Sequence, residues 1–99
     1  MDAEARRCAE KAIAGLDAIL ETGAATPHEE VAETVRSVVA FRDRIIALTR
    51  QGAASPEMRD RANAAVSLAY GSENPVAGFH RHRLERTRHT LRELLEDGV

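Results

Sequence analysis

The chain has 99 residues with 14 basic and 16 acidic side chains, a formal charge of -2, so it is long enough for one small domain and carries no overall field to hold a polyanion. Hydrophobic residues at 43% and charged residues at 30% exclude a wholly disordered chain and a fibre. Aromatic residues are only 3% (Phe41, Tyr70 and Phe79), so the core must come from Ala, Val, Ile and Leu, which favours helices over sheets.

The punctuation along the chain is regular. Thr22-Gly23, Gly52 and Gly71 read as helix stops, and each precedes a polar residue and a proline by a few positions. Thr26-Pro27-His28-Glu29 reads as a capping box, with Thr26 accepting from the free amides of the first turn and Glu29 reaching back. Ser55-Pro56 and Asn74-Pro75 repeat the cap-then-proline half of it. The predicted helices are Ala3 to Glu21, Pro27 to Gln51, Pro56 to Tyr70 and Pro75 to Asp97. Short connections between helices of this length favour antiparallel neighbours, and the expected fold is a single all-α domain over 1–99, a small up-down-up-down four-helix bundle.

On the first helix Ala5, Cys8, Ala9, Ala12, Ile13, Leu16, Ile19 and Leu20 share one side, which makes Cys8 a small core residue rather than a reactive thiol. The second helix is apolar over nearly half its circumference, through Val31, Val35, Val38, Val39, Phe41, Ile45, Ile46 and Leu48. A surface helix needs a stripe of only about 100°. The excess fits either a central position inside the monomer or a homodimer seam, and the seam is the preferred reading. Met58, Ala62, Ala65, Val66 and Ala69 form the third stripe, whose small side chains let a neighbour approach closely. Val76, Leu84, Leu91, Leu94 and Leu95 form the fourth, with His80 and Thr87 in the same arc.

Arg42 lies within the apolar arc of the second helix, where a guanidinium must reach solvent, pair with a carboxylate such as Asp17 or Glu10 from another helix, or hold an anionic ligand. The ion pair is the preferred expectation. The most basic stretch is His80 to Arg92, where Arg81, Arg83, Arg86, Arg88 and Arg92 stand against Glu85 alone. Helical spacing divides them, with Arg81, Arg88 and Arg92 on one flank of the apolar stripe and Arg83 and Arg86 on the other. Such a division suits edge packing and ion pairs better than a phosphate-reading face, and the stretch holds no aromatic side chain for base stacking.

His82, Glu85, His89 and Glu93 make a polar line with helical spacing that faces away from Leu84 and Leu91, whereas bundle metal sites project inward, so no metal is expected there. His80 and His82 stand about 200° apart around a helix and cannot chelate one ion. The segment His89-Thr90-Leu91-Arg92 resembles the phosphoacceptor segment of histidine phosphotransfer domains, four-helix bundles that carry phosphate on an exposed histidine between receiver domains. That resemblance covers four residues and implies phosphate transfer through His89; this chain has Glu93 where family members usually have glycine, and carries the histidine on its last helix. There is no glycine-rich phosphate loop, GxSxG elbow or HExxH motif.

The single cysteine excludes an intramolecular disulfide framework and fits a reducing cytoplasm. The longest apolar runs, Val38 to Phe41 and Ile45 to Leu48, are four residues each, too short for a membrane span or a signal peptide. Arginine in place of lysine, with Lys11 the one exception, suggests a GC-rich bacterial genome. The expected function is a cytoplasmic helical interaction or adaptor module, a homodimer with a possible further protein partner, without cofactor or catalytic chemistry. The alternative is binding of nucleic acid or another phosphate-rich partner through the arginines of the last helix.

Overall fold

The computed structural model describes residues 1–70 and 80–97. Four α-helices and no strand are present among them: α1 (Ala3–Thr22), α2 (His28–Arg50), α3 (Pro56–Ala69) and α4 (Arg81–Asp97). A short 3-10 turn, Gly23–Ala25, links the first two. Each helix packs on the next, and α4 closes the ring on α1, giving the all-α up-down-up-down bundle expected from the connection lengths. The Gly71 stop, the Asn74-Pro75 cap, Val76 and the predicted start of the last helix lie outside the described residues.

Local chemistry sets the helix ends. Ser55 caps α3 by accepting from the Met58 amide at 3.1 Å, with Pro56 at the first helical position. Gly23 and Gly52 follow α1 and α2 with φ of +76° each, a positive φ that a residue without a Cβ adopts at least cost. The capping box at Thr26 does not form. The Thr26 hydroxyl donates to the Gly23 carbonyl at 2.7 Å, so it closes the preceding 3-10 turn, and no side chain caps α2. Glu29 turns outward to Arg36 at 2.8 Å instead of reaching back. At the other end of the pair, Asp2 caps α1 by accepting from the Ala5 amide at 2.9 Å.

The core gathers Ala5, Ala9, Ala12 and Leu16 of α1 with Val38, Phe41 and Ile45 of α2, Ala62, Ala65 and Ala69 of α3 and Leu84, Leu91 and Leu94 of α4. Phe41 is its largest fully buried side chain. Truncation of such a residue to alanine costs about 3–5 kcal/mol through lost transfer energy and the cavity left behind. Cys8, Ile13, Met58 and Leu95 are half-buried and pack against the edge of this cluster. Thr87 is fully buried in the middle of the α4 stripe and satisfies its hydroxyl on the Arg83 carbonyl at 2.8 Å.

Candidate functional site

Four arginines of α4 reach along both edges of the helix to neighbouring helices. Arg88 reaches Asp17 of α1 at 2.9 Å and Arg92 reaches the same carboxylate at 3.2 Å. Arg81 donates to the Leu20 carbonyl at 2.7 Å and pairs with Glu85 at 3.6 Å. Arg83 donates to the Ser67 and Leu68 carbonyls at 2.8 and 3.1 Å. Leu20, Ser67 and Leu68 belong to the last turns of α1 and α3, whose carbonyls lack helical partners and form the negative end of each dipole. Four of the five arginines therefore fasten α4 to its neighbours, while Arg86 is exposed and makes no hydrogen bond or ion pair among the described residues. On the α3 edge, Arg61 adds bonds to Glu93 at 3.3 Å and Asp97 at 2.9 Å.

Arg42 stands at the edge of α2 that faces α3, with 24% of its side chain exposed. Its Nε donates to Asp43 at 2.8 Å and its Nη1 to the Asn63 side chain at 3.2 Å. Neither carboxylate named from the sequence reaches it: Asp17 is taken by Arg88 and Arg92, and Glu10 lies 4.0 Å from Arg6. The guanidinium is met instead by the next residue in the chain and by one amide across the helix contact.

A second arginine of α2, Arg44, holds the start of α1. It donates from Nε to Asp2 at 3.0 Å, pairs with the same carboxylate through Nη2, and lies 3.3 Å from Glu4. The Arg44 hydrogen bond, helped by the Ala5 amide, holds the Asp2 carboxyl below its ordinary range, and Asp2 in turn raises Arg44. One carboxylate thus caps one helix and ties it to another.

The polar line on α4 stays at the surface. His89 is 74% exposed and lies 3.3 Å from Glu93, while Glu85 is engaged by Arg81. No group of three or more His, Cys, Asp or Glu positioned to share a metal ion occurs among the described residues.

The apolar arc of α2 divides in two. Val31, Val35, Val38, Phe41, Ile45 and Leu48 are buried, with Thr34 and Ser37 beside them, whereas Val39 and Ile46 remain half-exposed on the outer side. Around them lie Ala32 and Ala47, half-exposed, and Ala40, exposed, with the exposed charges Glu29, Arg36, Asp43 and Arg50 interleaved. Tyr70, 54% exposed, is the large hydrophobic side chain most open to solvent among the described residues, and it lines an open groove of about 440 Å³ with Ala32, Val39 and Ala40 between Arg36 and Asp43. A second groove of about 420 Å³ runs between α1 and α2 past Ala14, Gly15 and Ala18, with Lys11 and Glu33 on its sides. Helical periodicity places Val39 and Ile46 in the wide arc of α2, and Tyr70 marks the expected end of the third helix. The signal that marks the outer face is the seven-residue spacing of Glu29, Arg36, Asp43 and Arg50.

Compared with models of known protein families, with curated proteins and with solved structures, the chain matches none.

Proposed function

We propose that this chain is a cytoplasmic protein–protein interaction module whose contact surface is the outer face of α2 together with Tyr70. The observation that carries the reading is the exposure of Tyr70 beside half-exposed Val39 and Ala32, an apolar groove framed by charge on a small helical domain. A cytoplasmic setting agrees with the single half-buried cysteine, and no helix among the described residues is long and apolar enough to cross a membrane. The alternative, a phosphate-rich partner on α4, asks for free guanidiniums, whereas Arg81, Arg83, Arg88 and Arg92 already hold carbonyls or carboxylates of the same chain.

The reading is tested by affinity capture from the native host with the wild-type chain and with Val39→Asp, whose helicity is checked by circular dichroism. Proteins retained by the wild type and lost by the variant support it. Identical capture by both chains, or retention of nucleic acid alone, would overturn it.

A further inference from the structure

We infer that the occupant of this face is a second copy of the chain, bound with the two α2 helices antiparallel about a twofold axis that passes between Val39 and Ala40. The inference rests on the reading that the outer face of α2 is an interaction surface, and it names the partner.

The argument is one of charge and register. Glu29, Ala32, Arg36, Val39, Asp43, Ile46 and Arg50 follow one another at intervals of three and four, so they form a continuous ladder on the side of α2 away from the core. The rungs alternate between charged and apolar, and the charges alternate in sign every seven residues: acidic, basic, acidic, basic. Antiparallel pairing about the 39/40 midpoint sets Arg36 against Asp43 of the second copy and Glu29 against its Arg50, each contact occurring twice. The same operation places Val39 against Ala40 and Ala32 against Ala47, alanines that let two helices come to the usual 8–10 Å spacing, and sets Ile46 beside the stem of Glu33, whose carboxylate stays with Lys11 at the rim. A parallel arrangement would put each charge against its own kind. A slip of one heptad in either direction would also oppose like charges, because it brings Arg36 onto Arg36 or Asp43 onto Asp43. The pattern therefore favours one orientation and one register, which an unrelated partner would not require.

The charges are free to do this. Arg36, Glu29 and Asp43 are mostly exposed, and their present pairs, Glu29 with Arg36 and Arg42 with Asp43, lie along the surface of α2 itself. Sharing an oxygen or a guanidinium with a second chain costs little desolvation at such positions. The groove beside Tyr70 lies along the same ladder and widens the contact toward α3. A single helix face roughly 30 Å long is at the small end of specific interfaces, so the dimer is expected to dissociate in the tens of micromolar, roughly the weak end of the range for such areas.

Sedimentation equilibrium at low salt tests the inference. The wild type should approach twice the 10.8 kDa of one chain at about 200 μM. Arg36→Asp and Asp43→Arg should each weaken self-association by about tenfold or more, since each sets two like pairs face to face. An equimolar mixture of the two variants should regain association within about threefold of wild type, because every charged rung is then complementary in the heterodimer. Spin labels at Arg50→Cys in a Cys8→Ser background should lie about 30 Å apart across the dimer, the distance two antiparallel helices impose on positions near opposite ends. A monomer at about 200 μM would overturn the inference. So would a dimer whose mixture of variants fails to recover, or labels that approach to within about half that distance. If the wild type is monomeric while Val39→Asp still abolishes capture of other proteins, the interaction face survives and its assignment to a second copy does not.

Discussion

Gly15 of α1 faces Thr34 of α2 so closely that a methyl group on Gly15 would stand 2.3 Å from the Thr34 hydroxyl oxygen and 3.1 Å from its Cβ. The Thr34 hydroxyl is also committed, donating to the Glu30 carbonyl at 3.0 Å, so it cannot swing away without losing a bond. The absence of a side chain at Gly15 is thus what lets the two helices meet at this height.

Gly15→Ala is expected to destabilise the fold, although alanine is the better helix former by about 1 kcal/mol, because overpacking costs roughly 1–3 kcal/mol. Thr34→Ala added to Gly15→Ala should recover part of that loss, the remaining 3.1 Å contact to Cβ preventing full recovery. Urea unfolding of the two single variants and the double variant measures the coupling. A Gly15→Ala chain more stable than wild type would contradict the close approach.

Asp2 gives the bundle an acid-sensitive attachment. Its carboxyl sits below its ordinary value of 3.8 in the folded state because Arg44 and the Ala5 amide favour the ionised form. The stabilisation is therefore complete above that value and fades as the pH falls through the folded-state titration. Asp2→Asn keeps a capping side chain while removing the charge. The stability difference between wild type and Asp2→Asn should be present at neutral pH and shrink progressively as the pH falls below the ordinary carboxylate value of 3.8 in thermal melts across the acid range.

Arg42→Met should change stability by less than about 1 kcal/mol, the range of partly exposed ion pairs. A guanidinium sealed in the core would instead leave a stranded carboxylate costing roughly 3–5 kcal/mol. With Asp43 mostly exposed and the Asn63 amide half-buried, no charge is stranded when the arginine goes. Denaturant titration separates the two magnitudes.

Duplex and single-stranded nucleic acid should bind no tighter than about 10 μM near physiological salt, the weak range of nonspecific association. Fluorescence anisotropy at several salt concentrations checks this. A submicromolar complex, steeply salt-dependent and lost in Arg81→Ala and Arg88→Ala, would transfer the function to α4.

What could be read from the sequence follows from how local each feature is. Ser55-Pro56, Gly23 and Gly52 carry their meaning within three or four residues, and the ends of the first three helices fall within a residue or two of the expected positions, whereas His80, expected inside the last helix, stands just before α4 begins at Arg81. Asp2 is equally local, an acidic side chain three residues before the amide it accepts from. Thr26 misled for a physical reason: a 3-10 turn intervenes, and the carbonyl of Gly23 competes for the hydroxyl. Partner choice is where sequence spacing runs out. Asp17 looked available to Arg42, but α1 presents it to α4, and only the arrangement of the four helices decides between the two arginine sources. Periodicity likewise put Val39 and Ile46 in the same arc as Val38 and Ile45, although the bundle covers one side of that arc and leaves the other open.

The way α4 is fastened has a consequence for how the molecule opens. Its buried stripe is Leu84, Thr87, Leu91 and Leu94, with a hydroxyl at the position where a fourth aliphatic chain would add most, and the edges are held by Asp17, Arg61 and the carbonyl ends of α1 and α3. Aliphatic contacts lose nothing to added sodium chloride, whereas partly exposed charge pairs weaken as mobile ions solvate and screen the separated charges. Amide hydrogen exchange along α4 should accordingly rise with added sodium chloride while the centres of α1 and α2 keep their protection. The bundle would then lose its last helix as a separate cooperative unit before it unfolds, with ionic strength setting how often that happens.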